Sequence, residues 1–349
     1  MVEKIHAEVS PEGMKRMNKI STTSEMAYEF YLKGEELYAE YFAEVGSKDL
    51  LTSAESLFRY ALQYDPAFAI PYRKIAALYA TRMNTTPSKR EYWDTVRINV
   101  ERALSCDDED AASYQLLGTY YRNQGDWDKA IENFNTALEY NPNSRDVYAT
   151  MGTMYAEKND FVNALSNLYK SLSYPQPEET YINVTQSFMM VYLWSGFKEQ
   201  YNHFAEIKLK YSGDSAMYYC DLATGEYWID DNRKKALELL EMSYRIDSTT
   251  LETLNLLGEV CLSDGQYARS LKYYKEYTVQ LNELGRVNIY STHNIGLAYW
   301  LNGDKETAEH YFDLQLSYIR DFLSGNLSSE GTLASIFAFI GNRDLAYKH

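Results

Sequence analysis

The chain has 349 residues, of which 45% are hydrophobic and 24% charged, proportions typical of a folded protein rather than a disordered one. Its 50 acidic residues against 34 Lys and Arg give a formal net charge of −16, which disfavours nucleic-acid binding and favours cationic partners. No stretch reaches the apolar length of a membrane span, so no membrane insertion is expected.

Residues 1–25 are predicted to be a lead-in to the main fold, with one short helix. Pro11 follows Ser10, and proline is favoured at the first position of a helix. The lead-in has no apolar run, so it is not a signal peptide. It reads like the middle of a longer protein, and the expected compartment is the cytoplasm, or the periplasm if an upstream membrane span exists.

Residues 26–110 are predicted to form two helical hairpins with long connections. In the first, Ala54, Phe58 and Ala61 keep helical spacing but arrive late, so residues 43–50 are expected to be an extended loop. In the second, the stretch TRMNTTPSKREYW is expected to make a long turn. Inserted loops of this kind are usually tolerated at a protein surface.

Residues 111–144 carry the clearest helical-hairpin pattern of the chain. The apolar positions are Tyr114, Leu117 and Tyr121 on a first helix, and Ala130, Phe134 and Ala137 on a second. Gly118 is small where the two helices approach, Gly125 can reverse the chain, and Pro142 closes the unit. Such a hairpin cannot bury its apolar faces alone, so it needs neighbouring copies.

The copies follow at a period near 34 residues, and the pattern resembles the tetratricopeptide repeat family. The resemblance implies an all-α fold, a right-handed superhelical α-solenoid of helix hairpins. About eight repeats are expected over residues 26–322, at 27–68, 69–110, 111–144, 145–178, 182–213, 217–250, 251–284 and 289–322. Residues 323–349 supply a partial repeat whose second helix is truncated, and this end is a possible site of homodimerisation.

No sequence motif indicates catalysis. The chain has no phosphate-binding glycine loop and no nucleophile elbow, and its histidines lack metal-ligand spacing. The three cysteines, Cys106, Cys220 and Cys261, form no CxxC pair and are interpreted as structural. The acidic run from Asp107 to Asp110 is interpreted as favouring the positive end of the next helix. The protein is therefore predicted to be non-enzymatic, with no metal and no cofactor.

The family resemblance also implies a concave groove lined by residues of the first helices. The candidate peptide-binding residues are Arg73, Gln115, Arg122, Gln186, Met190, Trp194, Tyr218, Trp228, Asn255, Tyr290, His293 and Trp300. Thr119, Leu193, Asp221, Glu259 and Leu297 occupy groove positions as well. The C-terminal half is aromatic, and these rings either bind a partner or pack on one another.

The function predicted from this groove is a scaffold that binds a protein or peptide. An alternative comes from residues 7–38, which are similar to the segment that opens repeat arrays in certain bacterial signalling proteins. In that alternative, the chain is the sensor or regulatory region of a larger transcriptional regulator or nucleotide cyclase whose output domain is absent.

Overall fold

The computed structural model describes residues 21–43, 48–85, 90–174, 178–284, 292–319 and 327–342, with residues 344 and 346. Over these residues the chain forms seventeen α-helices and no strand, so the predicted all-α class is confirmed. The short helix predicted near Pro11 lies outside the described residues. The chain divides into two compact units, unit 1 (Met1–Met151) and unit 2 (Gly152–His349).

Unit 1 contains six helices and most of a seventh. They are α1 (Glu25–Ala43), α2 (Lys48–Tyr64), α3 (Ala69–Thr85), α4 (Arg90–Cys106), α5 (Ala111–Asn123), α6 (Trp127–Tyr140) and α7 (Arg145–Glu157), of which α7 continues across the division. The helices pack in sequential pairs, α1 with α2, α3 with α4 and α5 with α6. α2 also contacts α3, and α4 contacts α5, as a stacked hairpin array requires.

Unit 2 contains the remaining ten helices. They are α8 (Phe161–Leu172), α9 (Glu178–Ser195), α10 (Lys198–Ser212), α11 (Ser215–Trp228), α12 (Arg233–Ile246), α13 (Leu251–Ser263), α14 (Tyr267–Glu283), α15 (Thr292–Leu301), α16 (Lys305–Tyr318) and α17 (Leu327–Phe339). The pairs are α9–α10, α11–α12, α13–α14 and α15–α16. First helices of neighbouring pairs also touch, α11 with α13 and α13 with α15.

A glycine of the first helix faces a buried side chain of the second helix in five hairpins. The pairs are Gly34 with Phe58, Gly118 with Phe134, Gly152 with Leu168, Gly258 with Tyr274 and Gly296 with Phe312. A Cβ on any of these glycines would lie 2.6–2.7 Å from the facing side chain. The absence of a side chain therefore lets the two helices approach closely.

Short turns and polar caps set where several of the helices begin. Gly125 has φ +74°, the left-handed conformation that glycine adopts without steric cost, and it reverses the chain between α5 and α6. The caps are Asp126, Asp160, Asp214, Asn232 and Asp304, whose side chains accept hydrogen bonds from backbone N–H groups three residues on. These caps satisfy donors that an α-helix leaves free at its first turn.

The long connections expected in the first two hairpins are mostly helix. α1 ends at Ala43 and α2 begins at Lys48, so helix extends into the range 43–50 that was expected to be a loop. Leu51 is buried with Ala54 and Phe58, which extends the apolar stripe by one turn. The predicted long turn of the second hairpin is likewise shortened, because α3 continues to Thr85 and α4 begins at Arg90.

Candidate functional site

In unit 1, the predicted groove residue Arg73 is engaged within the fold. Its Nε lies 3.0 Å from Asp110 Oδ2, and both side chains are largely buried. Asp110 precedes α5 but makes no side-chain capping bond, and instead accepts a hydrogen bond of 2.5 Å from Ser113 Oγ. Asp110 thus pairs with a cation and a hydroxyl. Gln115 and Arg122 lie partly buried on α5.

In unit 2, the groove position Asp221 is also satisfied internally. Only 7% of Asp221 is exposed, and its Oδ2 lies 2.8 Å from Lys208 Nζ on the preceding helix, α10. Burial raises the pKa of the Asp221 carboxyl, while the charge and hydrogen bonds of Lys208 act in the opposite direction. This carboxylate is therefore part of the packing between α10 and α11.

Three tryptophans stand at the C-terminal ends of first helices in unit 2. Trp194, Trp228 and Trp300 are the last or next-to-last residues of α9, α11 and α15. Trp228 is 58% exposed and Trp194 is 48% exposed. Consecutive first helices of a hairpin array run in the same direction, so these ends share one edge of the unit.

Trp300 is held more tightly than the other two tryptophans. It is partly buried, its ring centroid lies 6.2 Å from that of Phe312, and Lys305 Nζ lies 4.9 Å from it on a cation–π contact. Trp194 and Trp228 are therefore the tryptophans of this edge with the most exposed ring surface.

Several other predicted groove residues pack against hydrophobic clusters. Met190, Leu193 and Tyr218 lie against the cluster that contains Phe188 and Phe204, and Leu297 lies against the cluster that contains Phe312. These side chains are partly buried against the two clusters. Gln186 is exposed on α9. Tyr290 lies outside the described residues.

The remaining groove positions of α13 and α15, which are Asn255, Glu259 and His293, are polar. Asn255 Oδ1 and His293 Nδ1 are inaccessible to solvent, and each lacks a hydrogen-bond partner. Glu259 is partly buried, and burial raises the pKa of its carboxyl. Burial lowers the pKa of His293, with a hydrogen bond to Gln315 opposing that shift.

The cysteines divide into two environments. Cys220 and Cys261 are buried, and burial raises the pKa of their thiols to about 12 and about 11 respectively. Cys106 is exposed at the end of α4, so it does not have the core position expected of a structural cysteine. Within the ranges that the structure describes, no three His, Cys, Asp or Glu side chains are placed to hold a metal ion.

Sequence reasoning placed the tryptophans and Glu259 among the groove positions but did not separate paired from unpaired residues. Arg73 and Asp221 carry the same groove label as Glu259, yet both are neutralised by an opposite charge. The available sequence signal was the 34-residue spacing between Trp194 and Trp228, one repeat length. No sequence signal distinguishes the unpaired state of Glu259, because pairing depends on distances between separate helices.

Comparison with known proteins agrees with this arrangement of hairpins. One tetratricopeptide repeat model matches residues 111–144, and another matches residues 291–322. The crystal structure of a tetratricopeptide repeat protein from Parabacteroides merdae is similar with a TM-score of 0.54 at 16% identity, covering 83% of this chain and 99% of that one. A monomeric mutant of IFIT1 with Gppp-AAAA also has a TM-score of 0.54, at 15% identity, covering 88% of this chain and 75% of that one. A search of curated protein sequences gives no match.

The helix hairpins, the two matched repeats and the similar folds define the class as an all-α solenoid. Two segments of the chain, residues 111–144 and 291–322, match tetratricopeptide repeat models, and the fold is that of tetratricopeptide repeat proteins. Repeats of this kind support an interaction scaffold. In the part of the chain that the structure describes, no helix is both long and apolar enough to cross a bilayer.

Proposed function

We propose that this protein is a non-enzymatic scaffold that binds a protein or peptide segment along the first helices of unit 2. The first-helix surface is defined here as the side of α9, α11, α13 and α15 that carries the predicted groove residues. The observation that carries the proposal is the pair of exposed indoles of Trp194 and Trp228, one repeat apart at the same edge. Tryptophan is enriched among the residues that dominate binding energy at protein interfaces.

The area of these rings is sufficient for a peptide ligand of moderate affinity. Fully burying an apolar side chain contributes about 1.5–3 kcal/mol. Two tryptophans and a few neighbouring contacts would offset the cost of ordering a short peptide and leave a binding free energy of about −8 kcal/mol, or a micromolar Kd. The remaining first-helix residues would then set specificity rather than affinity.

The test uses short random peptides displayed on phage and selected against the intact chain. We expect the Trp194→Ala/Trp228→Ala double variant to lose at least about 2 kcal/mol of binding to the selected peptides, since both rings act as anchors. Helicity by circular dichroism should be unchanged, because both rings are about half exposed. Trp300→Ala is a less direct probe, since its contact with Phe312 also supports folding.

Val279→Ala is the matched control, because Val279 is 53% exposed on α14, a second helix. It should leave peptide affinity unchanged. Failure to select any peptide, or equal affinity for the tryptophan double variant and the intact chain, would overturn the proposed function.

Two other functional assignments have weaker support. The similar IFIT1 structure contains Gppp-AAAA, but a formal charge of −16 disfavours phosphate binding by this chain. The regulatory-region alternative depends on a lead-in whose first twenty residues lie outside the described ranges. Both this alternative and homodimerisation through residues 323–349 stay predictions.

A further inference from the structure

Resting on the proposed function, we infer that Phe197 is a third anchor for the bound peptide, beside Trp194 and Trp228, and that it receives an apolar side chain of that peptide. Phe197 is not one of the predicted groove residues, because it follows the turn after α9 and immediately precedes α10, a second helix. Three features of Phe197 support this role: its backbone conformation, its exposure and its place next to the two tryptophans.

Phe197 stands where other second helices have a capping side chain. The backbone of Phe197 has φ −92° and ψ 81°, close to the −91° and 73° of the capping residue Asp160. Its N–H donates to the carbonyl five residues before it and its C=O accepts from the N–H four residues after it, as in Asp160. The turn would therefore accommodate Asp or Asn at position 197. The capping residues of the other second helices are Asp126, Asp160, Asn232 and Asp304.

The Phe197 side chain contributes less to folding than a capping residue would. α10 begins without a side-chain capping bond, whereas Asp or Asn at this position would satisfy an N–H of the first turn. The residue is also 57% exposed, so much of its apolar ring remains in water. Burial against a partner would give this ring a role that the isolated fold does not give it.

Phe197 adjoins the edge of unit 2 at which Trp194 and Trp228 stand. Trp194 lies three residues before it in the chain. Lys198, which directly follows Phe197, forms ion pairs with two carboxylates that lie on either side of Trp228 in the sequence. The Nζ of Lys198 is 2.7 Å from Glu226 Oε1 and 2.5 Å from Asp230 Oδ2. The start of α10 is therefore held within the length of one lysine side chain from the end of α11, so the three exposed rings belong to one edge.

The charges around Phe197 favour an apolar peptide side chain whose neighbour is cationic rather than acidic. One positive charge, that of Lys198, stands against three negative ones. The carboxylates are Glu199, which is exposed, and the two partners of Lys198, Glu226 and Asp230. An acidic residue of the peptide would be repelled here, and a Lys or Arg would be attracted.

The test replaces Phe197 by Asn, which leaves the charge unchanged and can cap α10. We expect Phe197→Asn to weaken binding of the phage-selected peptides about tenfold, because an anchor is lost. The urea midpoint should stay at or above that of the intact chain, because Asn caps a helix better than an apolar residue does. A merely structural role of Phe197 would lower affinity and stability together.

Two further measurements identify the contact. Phe197→Leu keeps an apolar side chain at this position, so it should retain affinity within about threefold. On the peptide, the apolar residues are replaced by Ala one at a time. One of these replacements should weaken binding to the intact chain about tenfold and have little effect on binding to Phe197→Asn, as expected for two side chains that contact each other.

Ile246→Asn is the matched control, because Ile246 is 53% exposed and ends α12, at the end of its hairpin away from the turn. It should change affinity less than about twofold, as surface substitutions away from a site do. If Phe197→Asn binds the peptides as tightly as the intact chain, or loses affinity together with a lower urea midpoint, the inference is overturned while tryptophan-dependent binding stands. If no peptide is selected at all, the proposed function fails together with the inference.

Discussion

At the scale of single residues, Asp221 and Glu259 differ in whether a nearby cation compensates the charge of the buried carboxylate. Asp221 is more deeply buried than Glu259, yet Lys208 at 2.8 Å compensates its charge. Glu259 has only the effect of burial, which raises the pKa of its carboxyl above the ordinary 4.5. The energetic cost of a buried charge therefore depends on the partner as much as on the depth.

The raised pKa of Glu259 predicts a pH-dependent effect of Glu259→Gln on stability. When both states are protonated, below the unfolded pKa of about 4.3, Glu259 imposes no charge penalty. The penalty is added as the pH rises through the raised folded-state pKa. Thermal unfolding followed by circular dichroism should show a higher Tm for Glu259→Gln than for the intact chain at about pH 7, and a much smaller difference at about pH 3.5.

Glu309→Gln is the matched control for this pH series, because Glu309 is an exposed residue of α16 and the charge change is the same. Its Tm should follow that of the intact chain at both pH values. A Tm for Glu259→Gln that is equal to or below that of the intact chain at neutral pH would contradict the unpaired state of the carboxylate.

At the scale of helices, five of the hairpins depend on a glycine that leaves room for a ring or a leucine. In the hairpin of α15 and α16, a Cβ on Gly296 would lie 2.6 Å from the Phe312 ring and 3.2 Å from the Ala308 carbonyl oxygen. Phe312 is 1% exposed and has no free space into which to rotate. The pairing of these helices is therefore limited by volume rather than by helix propensity.

We expect Gly296→Ala to destabilise the protein by about 1–3 kcal/mol through overpacking. Gly331→Ala is the matched control, because Gly331 is an exposed helical glycine of α17 whose Cβ would meet nothing within 4 Å. That control should stabilise by up to about 1 kcal/mol, the helix-propensity difference between the two residues. Urea unfolding by circular dichroism measures both, and equal midpoints for the two variants would refute the volume argument.

At the scale of the whole molecule, the formal charge of −16 sets the field that an approaching partner meets. Like charge of this size keeps copies of the chain apart and attracts cationic ligands. This long-range attraction is distinct from the short-range contacts of a bound complex, because salt screens exposed charges over about 10 Å at 0.1 M ionic strength.

For selected peptides rich in Lys or Arg, we expect the association rate to fall by about tenfold or more when salt rises from roughly 20 to 500 mM. The dissociation rate should change much less, because it reports short-range contacts. Surface plasmon resonance measures the two rates separately. A peptide of zero net charge is the control, and an association rate for the cationic peptides that is as insensitive to salt as this control would argue against steering.

The sequence by itself determined the all-α class, the repeat family and the glycine positions of the hairpins. These follow from local rules, since helical spacing, small residues and turn glycines act within one hairpin. The lengths of the helices in the first two hairpins could not be predicted from the sequence. Helices α1 to α4 are longer than expected because residues such as Leu51 are buried in the core, which the repeat pattern does not specify.

Only the tertiary structure decided which predicted groove residues are paired within the fold and which are exposed. Arg73 pairs with Asp110, Asp221 pairs with Lys208 and Trp300 packs on Phe312, whereas Trp194 and Trp228 remain exposed. Each of these three pairs joins side chains from different helical segments. Their formation depends on the separation of packed helices, which a repeat pattern alone does not specify.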